Sequence, residues 1–481
     1  MKYNEIKNFQ KYFYILIFLQ ISIFFVLFGP SNLLNYEFGV LKDEADGPSY
    51  LNFPFDNIKT ILSDSRTFGL PLILKMYQFF DADLLHWPKF NFMLFVISIN
   101  IFFYSFIKSG FNVLFGFINC LSLLFSYNLF VYLSLWTEIA SISFCLLSLS
   151  SFLLILNTNK ENFLKYLVFT FLLFYTYQIR PSFVIFTFIP IIFCIISNLI
   201  LKTKYNLKIF SFLCFFPLLF FLILRLFVVG DFGLVSFNAG PAANAVIYLE
   251  KTNINKLQPQ NREFAKRIIE RRKSLPFPCN LEKETERKKY FYDYDSYGQK
   301  TCWNEYLMTT WMEAVYMNKG LTPFPEGDSR NIDAWMHVKT LGVFFNEQGT
   351  NIGPDKILKD FTKDVFSQNK LNIFNRIILS PYDFLRHYRD FYKNQFVIFY
   401  LIILLLAVFY KNKPKERTNR RVIDKELILT FSGFSVLCLN ILILYGHQNG
   451  EVRALQTQNF FFIPFFFSYL IYFLIIKNRI K

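Results

Sequence analysis

Ten stretches of about 20 mostly apolar residues recur along this chain, near 12–30, 89–107, 111–130, 138–156, 163–178, 182–201, 209–229, 395–410, 426–446 and 458–476. A bilayer core is about 30 Å thick, and a helix needs about 20 residues to cross it. Lipid supplies no hydrogen-bond partners, so the backbone inside it must satisfy itself, and a run of this length does so as a helix. The expected fold is therefore an all-α polytopic membrane protein with about ten transmembrane helices. The runs 163–178 and 182–201 are separated by Ile179-Arg180-Pro181. Proline disfavours helix at the residue before it, so a tight turn is expected there. The first run is long, rich in Ile, Leu and Phe, and lacks a small-residue cleavage site, so it reads as a retained helix rather than a signal peptide.

Composition agrees. The chain has 481 residues, of which 65 are Phe and 53% are hydrophobic. This excludes an ordinary soluble enzyme and a disordered chain, which would be poor in aromatics. Seven cysteines without a CxxC pair exclude a zinc ribbon and a disulfide-dense scaffold. Cys279 and Cys302 fall in the one long hydrophilic segment, where a disulfide and two free thiols fit equally well.

A net charge of +16 suggests nucleic acid until its distribution is followed. Taking the N-terminus as cytoplasmic, the inner pieces are 1–11, Lys108, 157–165, 202–208, 411–425 and 477–481. They carry 19 Lys+Arg against four acids, Glu5, Glu161, Glu416 and Asp424, with Glu426 at the start of the next run. The opposite short loops carry few basic residues. Cytoplasmic loops are enriched in Lys and Arg, so both termini are expected inside. The excess is an orientation signal, and no nucleic-acid partner is expected.

Three regions follow. Residues 1–230 form an N-terminal membrane domain of seven spans with a first outer loop at 31–88. Residues 231–394 form an outer-face soluble helical domain, and 395–481 a C-terminal membrane segment of three spans. The outer loop carries two short amphipathic stretches, 57–63 and 72–80. The soluble domain shows helical patterns at 261–273, 303–318 and 355–392, the last broken at Ser380-Pro381.

Ionisable groups are costly inside a membrane and usually mark function. Here they collect near the outer boundary. Glu138 opens the fourth span, Arg180 follows the fifth, Glu451 and Arg453 precede the tenth, and His86, His337, His387 and His447 all fall outside. Arg225, in the outer half of the seventh span, is expected to snorkel outward. A site at one face suits an enzyme better than a transporter, whose coupling groups sit near the midplane. The deep amides Asn100, Asn119 and Asn440 are what a transporter reading has to use. An outer-face glycan polymerase or ligase is the other alternative.

The first outer loop is acidic, and within it Asp46-Gly-Pro-Ser-Tyr50 precedes Arg66-Thr-Phe-Gly69-Leu-Pro71. An Asp on a Gly-Pro turn reads as a solvated turn or as a base for an acceptor hydroxyl. The pattern Asp46-x-x-x-Tyr50, then Arg66-x-x-Gly69-x-Pro71, resembles the first outer loop of GT-C class integral-membrane glycosyltransferases, of the kind that includes protein mannosyltransferases and aminoarabinose transferases. Leu70 stands where those proteins usually have Tyr. Thr137-Glu138, Arg180-Pro181 and Glu451-x-Arg453 resemble the same class in order and placement, with Ala454 where a Tyr often follows. The likeness covers the membrane-embedded residues and leaves 231–394 outside it.

The resemblance implies an inverting transferase that uses a polyprenyl-phosphate-linked sugar and a lipid, glycan or protein acceptor. Asp46 would be the catalytic base. Arg180, Arg453 and His447 would hold the lipid phosphate, Arg66 would keep Asp46 ionised, and Tyr50, Glu138 and Glu451 would line the substrate site. Glu138 and Arg180 fit equally a plain ion pair fastening two helices. No cofactor is implied with certainty, and a divalent metal is left open. Asp81-Ala-Asp83 with His86 has the look of a metal pair but offers a poor ligand set. A Phe-rich, low-Gly composition points to an AT-rich bacterial genome, and hence to an inner-membrane protein whose site faces the exterior.

Overall fold

The computed structural model describes residues 3–29, 50–64, 66–124, 137–156, 163–203, 205–235, 239–273, 306, 309–310, 313–314, 317, 352–375, 377–378 and 420–447. Among them the regular structure is helical and no strand occurs. The expected spans 395–410 and 458–476 lie outside the described residues, as do Asp46, Cys279, Cys302, His337, His387, Glu451 and Arg453.

The membrane part is built from α1 (Tyr3–Phe28), α2 (Ile58–Ser63), α3 (Gly69–Tyr77), α4 (Trp87–Lys108), α5 (Val113–Leu124), α6 (Thr137–Leu156), α7 (Phe163–Ile179), α8 (Phe188–Ile200) and α9 (Leu207–Val229). A 3-10 turn, Pro181–Thr187, runs directly into α8. Among the described residues, five segments are long and apolar enough to cross a membrane: Asn8–Phe28, Trp87–Lys108, Thr137–Leu156, Pro181–Ile200 and Leu207–Val229. The shorter apolar helices α5 and α7 accompany them.

On α4 the buried Phe92, Phe95, Ile99, Phe102 and Phe106 face the bundle, whereas Phe90, Met93, Ile97, Ile101 and Tyr104 are exposed. The exposed set recurs every three or four residues, so one whole stripe of a helix that is apolar all round meets no protein. A membrane supplies the missing contact. Helix α6 is buried on nearly every face. Its serines satisfy themselves locally: Ser143 and Ser150 donate to the carbonyls of Ile139 and Leu146, four residues back.

The helices alternate in direction, which gives the bundle two ends. Phe9 stacks near Phe103 and Phe28 meets Phe92, so α1 runs antiparallel to α4. At one end Gly110, at φ +80°, stops α4 in a left-handed cap that only glycine adopts cheaply. There Ser109 donates to the Leu153 carbonyl of α6, and α13 (Arg420–His447) joins them. The Lys425 ammonium donates to the Ser109 carbonyl at 2.7 Å, and the fully buried Glu426 carboxylate accepts from the Asn112 amide at 2.7 Å. The segments carrying Lys108, Lys202, Lys208 and Lys425 therefore share this end. The α2–α3 region, Trp87, Glu138 and Arg180 share the other.

Beyond α9, helices α10 (Ala239–Ile247), α11 (Pro259–Lys273) and α12 (Ile352–Gln368) pack around a core of their own. Phe264 meets Phe361 edge-on at 4.9 Å, and Arg272 lies 3.7 Å above the Tyr306 ring. The basic run along α11 is divided between two sides: Lys266 and Arg267 are exposed, whereas Arg272 is fully buried and donates to the Tyr306 carbonyl.

Candidate functional site

The end of the bundle opposite Lys425 gathers three separate pieces of sequence. The first is the join between α7 and the Pro181–Thr187 turn. Proline at 181 keeps Arg180 out of the helix, at φ −143° and ψ 110°. Its guanidinium thereby leaves the α7 axis and reaches the start of α6. One nitrogen donates to the Glu138 Oε1 at 2.7 Å and to the Thr137 hydroxyl at 2.7 Å. Glu138 is fully buried, and the Arg180 side chain is 12% exposed. The ion pair anticipated as one reading of these residues is present, and it sits where α6 and α7 meet the surface.

The second piece is α3. An added Cβ at Gly69 would collide with the carbonyl group of Gln178 and stand 2.5 Å from the Ile179 amide nitrogen. Only glycine permits this approach, so α3 begins flush against the last turn of α7, next to Arg180. The Tyr175 hydroxyl donates to the Gly69 carbonyl at 2.8 Å and fixes the contact. Leu70, the departure from the family pattern, is fully buried among Leu74, Trp87, Ala140 and Ile179. At the far end of α3, Tyr77 packs 4.7 Å from Phe90 and 5.5 Å from Trp87. Burial, and then the neighbouring Asp81 carboxylate, push its phenol above the usual range.

The third piece is the loop leading into α3. Tyr50 is buried in the same cluster as Leu70 and Trp87, and the Arg66 guanidinium lies 5.2 Å above its ring. Asp64, 2% exposed, caps α2 and accepts from the Arg66 amide at 2.8 Å. Helix α2 itself starts with a reciprocal cap between Asn57 and Thr60.

Tyr50, Arg66, Glu138 and Arg180 therefore lie at one end of the bundle. His447 closes α13, a helix that begins at the opposite end, packs along α8 and reaches the Pro181–Thr187 turn. At about 1.5 Å per residue its 28 residues run the full depth of the bundle, which carries His447 to the Arg180 end.

Asp64 and Gln178 escaped sequence reasoning. Asp64 sat among many loop acids, and only its burial separates it from them. Gln178 is fully buried beside Arg180, and neither atom of its amide has a hydrogen-bond partner among the described residues. A polar residue two before an Arg-Pro was the available signal.

Arg225 corrects an expectation. It does not snorkel but is fully buried. Its Nε donates to the Leu62 carbonyl of α2 at 2.9 Å, another nitrogen donates to the Gly233 carbonyl, and a third approaches Asp231 at 3.5 Å. A guanidinium whose donors are met by protein has no need of water, and here α2 covers it. The suggested metal pair at Asp81 also has another use, since its carboxylate accepts from the His86 amide at 2.7 Å. Among the described residues no group of three His, Cys, Asp or Glu could hold a metal.

Comparison with protein-family models, curated proteins and solved structures found no match.

Proposed function

We propose that this chain is an inverting membrane glycosyltransferase, moving a sugar from a polyprenyl phosphate to a lipid, glycan or protein acceptor. In this reading it has ten spans with both termini cytoplasmic, lies in a bacterial inner membrane, and works at the exterior face. The supporting observation is the convergence of Tyr50 and Arg66, Thr137-Glu138, and Arg180-Pro181 at one end of a membrane-crossing bundle. These are some of the residues on which the resemblance to GT-C enzymes rests; Asp46, Glu451 and Arg453 lie outside the described residues.

In a single displacement, Asp46 takes the acceptor hydroxyl proton as the oxygen attacks the anomeric carbon. The bond to the lipid phosphate breaks on the opposite side, and the phosphate leaves with its charge. Fixed cations at that position stabilise the developing charge more than the ground state. Arg180, held rigid by Glu138 and Thr137, supplies one, with Arg453 and His447 as its partners. A guanidinium carries five donors in a planar fork, so it can serve a carboxylate and a phosphate together. Tyr50, Arg66 and Glu451 line the sugar and acceptor positions.

The transporter alternative loses part of its footing. Asn100 makes a reciprocal amide pair with Gln20, and Asn119 donates to the Phe115 carbonyl of its own helix. The test is to incubate purified protein with labelled polyprenyl-phosphate sugars and follow the label. Transfer that is lost in Asp46→Asn supports the reading. Transfer that persists undiminished in that variant overturns the mechanism, and absence of any release from lipid-linked donors overturns the function.

A further inference from the structure

The outer helical domain carries a surface that its own core leaves uncovered. On α12, Ile357, Leu358, Phe361 and Val365 turn inward. Lys356, Lys359 and Lys363 are exposed on the other side. At about 100° per residue these three lysines fall within a wedge of roughly 60°, so they form one stripe along the helix. Asp364, the nearest acid toward α11, is turned to that helix, where it accepts from the Gln258 amide at 2.8 Å and the Asn261 side chain at 3.0 Å. Asp360 is the exposed acid that remains at the edge of the stripe.

After a break at Asn369 the chain is helical again from Lys370, and its exposed side changes character. Lys370 is exposed, and Leu371, Phe374 and Ile378 are 71%, 58% and 57% exposed. They repeat at three and four residues, which is the spacing of one helix face. Ile373, from the opposite face, packs against the domain core. A row of lysines thus leads into a row of large apolar side chains, the pattern of a helix that lies in a bilayer interface.

The position of α12 fits the pattern. The Lys359 ammonium donates to Asp231 at 2.9 Å, and Asp231 stands two residues beyond the end of α9 at Val229. The other oxygen of Asp231 faces Arg225, inside the bundle. The lysine stripe is therefore tied to the point where a membrane-crossing helix emerges. Anionic headgroups attract basic side chains within a Debye length of the surface, and that point lies inside the range.

We propose that residues 356–378 form a membrane-docking surface that seats the outer domain on a bilayer containing anionic phospholipid. Lys356, Lys363 and Lys370 meet the headgroup phosphates while Leu371, Phe374 and Ile378 enter the acyl boundary. Lys359 is already committed to Asp231 and serves as the tether. The surface does not depend on the transferase reading, because it needs only the membrane and the domain.

Photo-cross-linking of the full chain in nanodiscs tests this. A benzophenone side chain is placed at 374, at 378, and at the exposed Lys266 of α11 as a control. In discs containing phosphatidylglycerol, lipid adducts at 374 and 378 should exceed those at 266 several-fold. The excess should fall to the control level in Lys356→Gln/Lys363→Gln/Lys370→Gln and in pure phosphatidylcholine at high salt. Melting of the triple variant should match the parent, since all three side chains are exposed. Equal adduct yields at 374, 378 and 266 overturn the proposal. So does a yield that ignores both lipid charge and the triple variant, or capture of protein in place of lipid.

Discussion

The hydroxyl of Tyr175 donates to the carbonyl of Gly69 across 2.8 Å, and this bond clasps α3 to α7 at the place where Gly69 has no room for a side chain. One contact thus sets where the Arg66 loop stands relative to Arg180. Its geometry gives a first prediction. Gly69→Ala forces a methyl into the backbone of Gln178 and should destabilise by about 1–3 kcal/mol, as overpacking does. Tyr175→Phe leaves a buried carbonyl without its donor, at a cost of about 1–2 kcal/mol. Both read out as a lower melting temperature in detergent. An unchanged melting curve for Gly69→Ala would mean that the two helices are not in contact.

The Glu138–Arg180 pair gives a second. Removing one member leaves a buried charge alone, typically about 3–5 kcal/mol, whereas removing both restores much of the loss. Glu138→Gln and Arg180→Met should each melt well below the parent, and the double variant above either one. The double-mutant cycle separates structure from chemistry. If the double variant regains stability but no transfer, Arg180 acts on substrate as well as on Glu138.

Gln20 and Asn100 exchange two hydrogen bonds between α1 and α4, at 3.1 and 3.0 Å. Such bonds within a membrane average about 0.6 kcal/mol and reach about 1–2. Gln20→Leu or Asn100→Leu alone should cost about 1 kcal/mol, because each strands an amide. The pair of changes should come close to neutral. Equal costs that simply add would show that the amides do not meet.

Arg225 holds α2 by the Leu62 carbonyl. Arg225→Lys keeps the charge but loses the planar fork that serves several acceptors at once. Amides of residues 58–64 should then exchange hydrogen faster, by roughly tenfold for each 1.4 kcal/mol lost. Exchange in α4 is the internal control. Faster exchange everywhere would indicate general unfolding and not release of α2.

Much of the architecture was legible in the sequence, because the helix period and the length of an apolar run are local quantities. The expected runs 89–107, 138–156 and 209–229 match α4, α6 and α9 to within two residues at each end. The amphipathic stretches 57–63 and 72–80 locate α2 and α3, although α3 starts earlier, at Gly69. Pro181 does force Arg180 out of the helix. The basic loops told which segments belong together, and the end of α4 at Lys108 and the start of α13 at Lys425 do meet at one end. The burial of Arg225 was not legible, since snorkelling depends on what lies above a residue, and the covering helix α2 is about 160 residues distant in sequence.

Residue order alone was enough to establish that the chain is helical and that it carries several runs long and apolar enough to cross a membrane. Each of these depends on side chains within one run, where the cost of a charge or an unsatisfied peptide is settled locally. It took the packed helices to show that Glu138 grips Arg180, that Gly69 is a contact surface, and that Asp64 is buried. Those outcomes depend on which helices become neighbours, and close packing assigns neighbours by shapes that lie far apart along the chain.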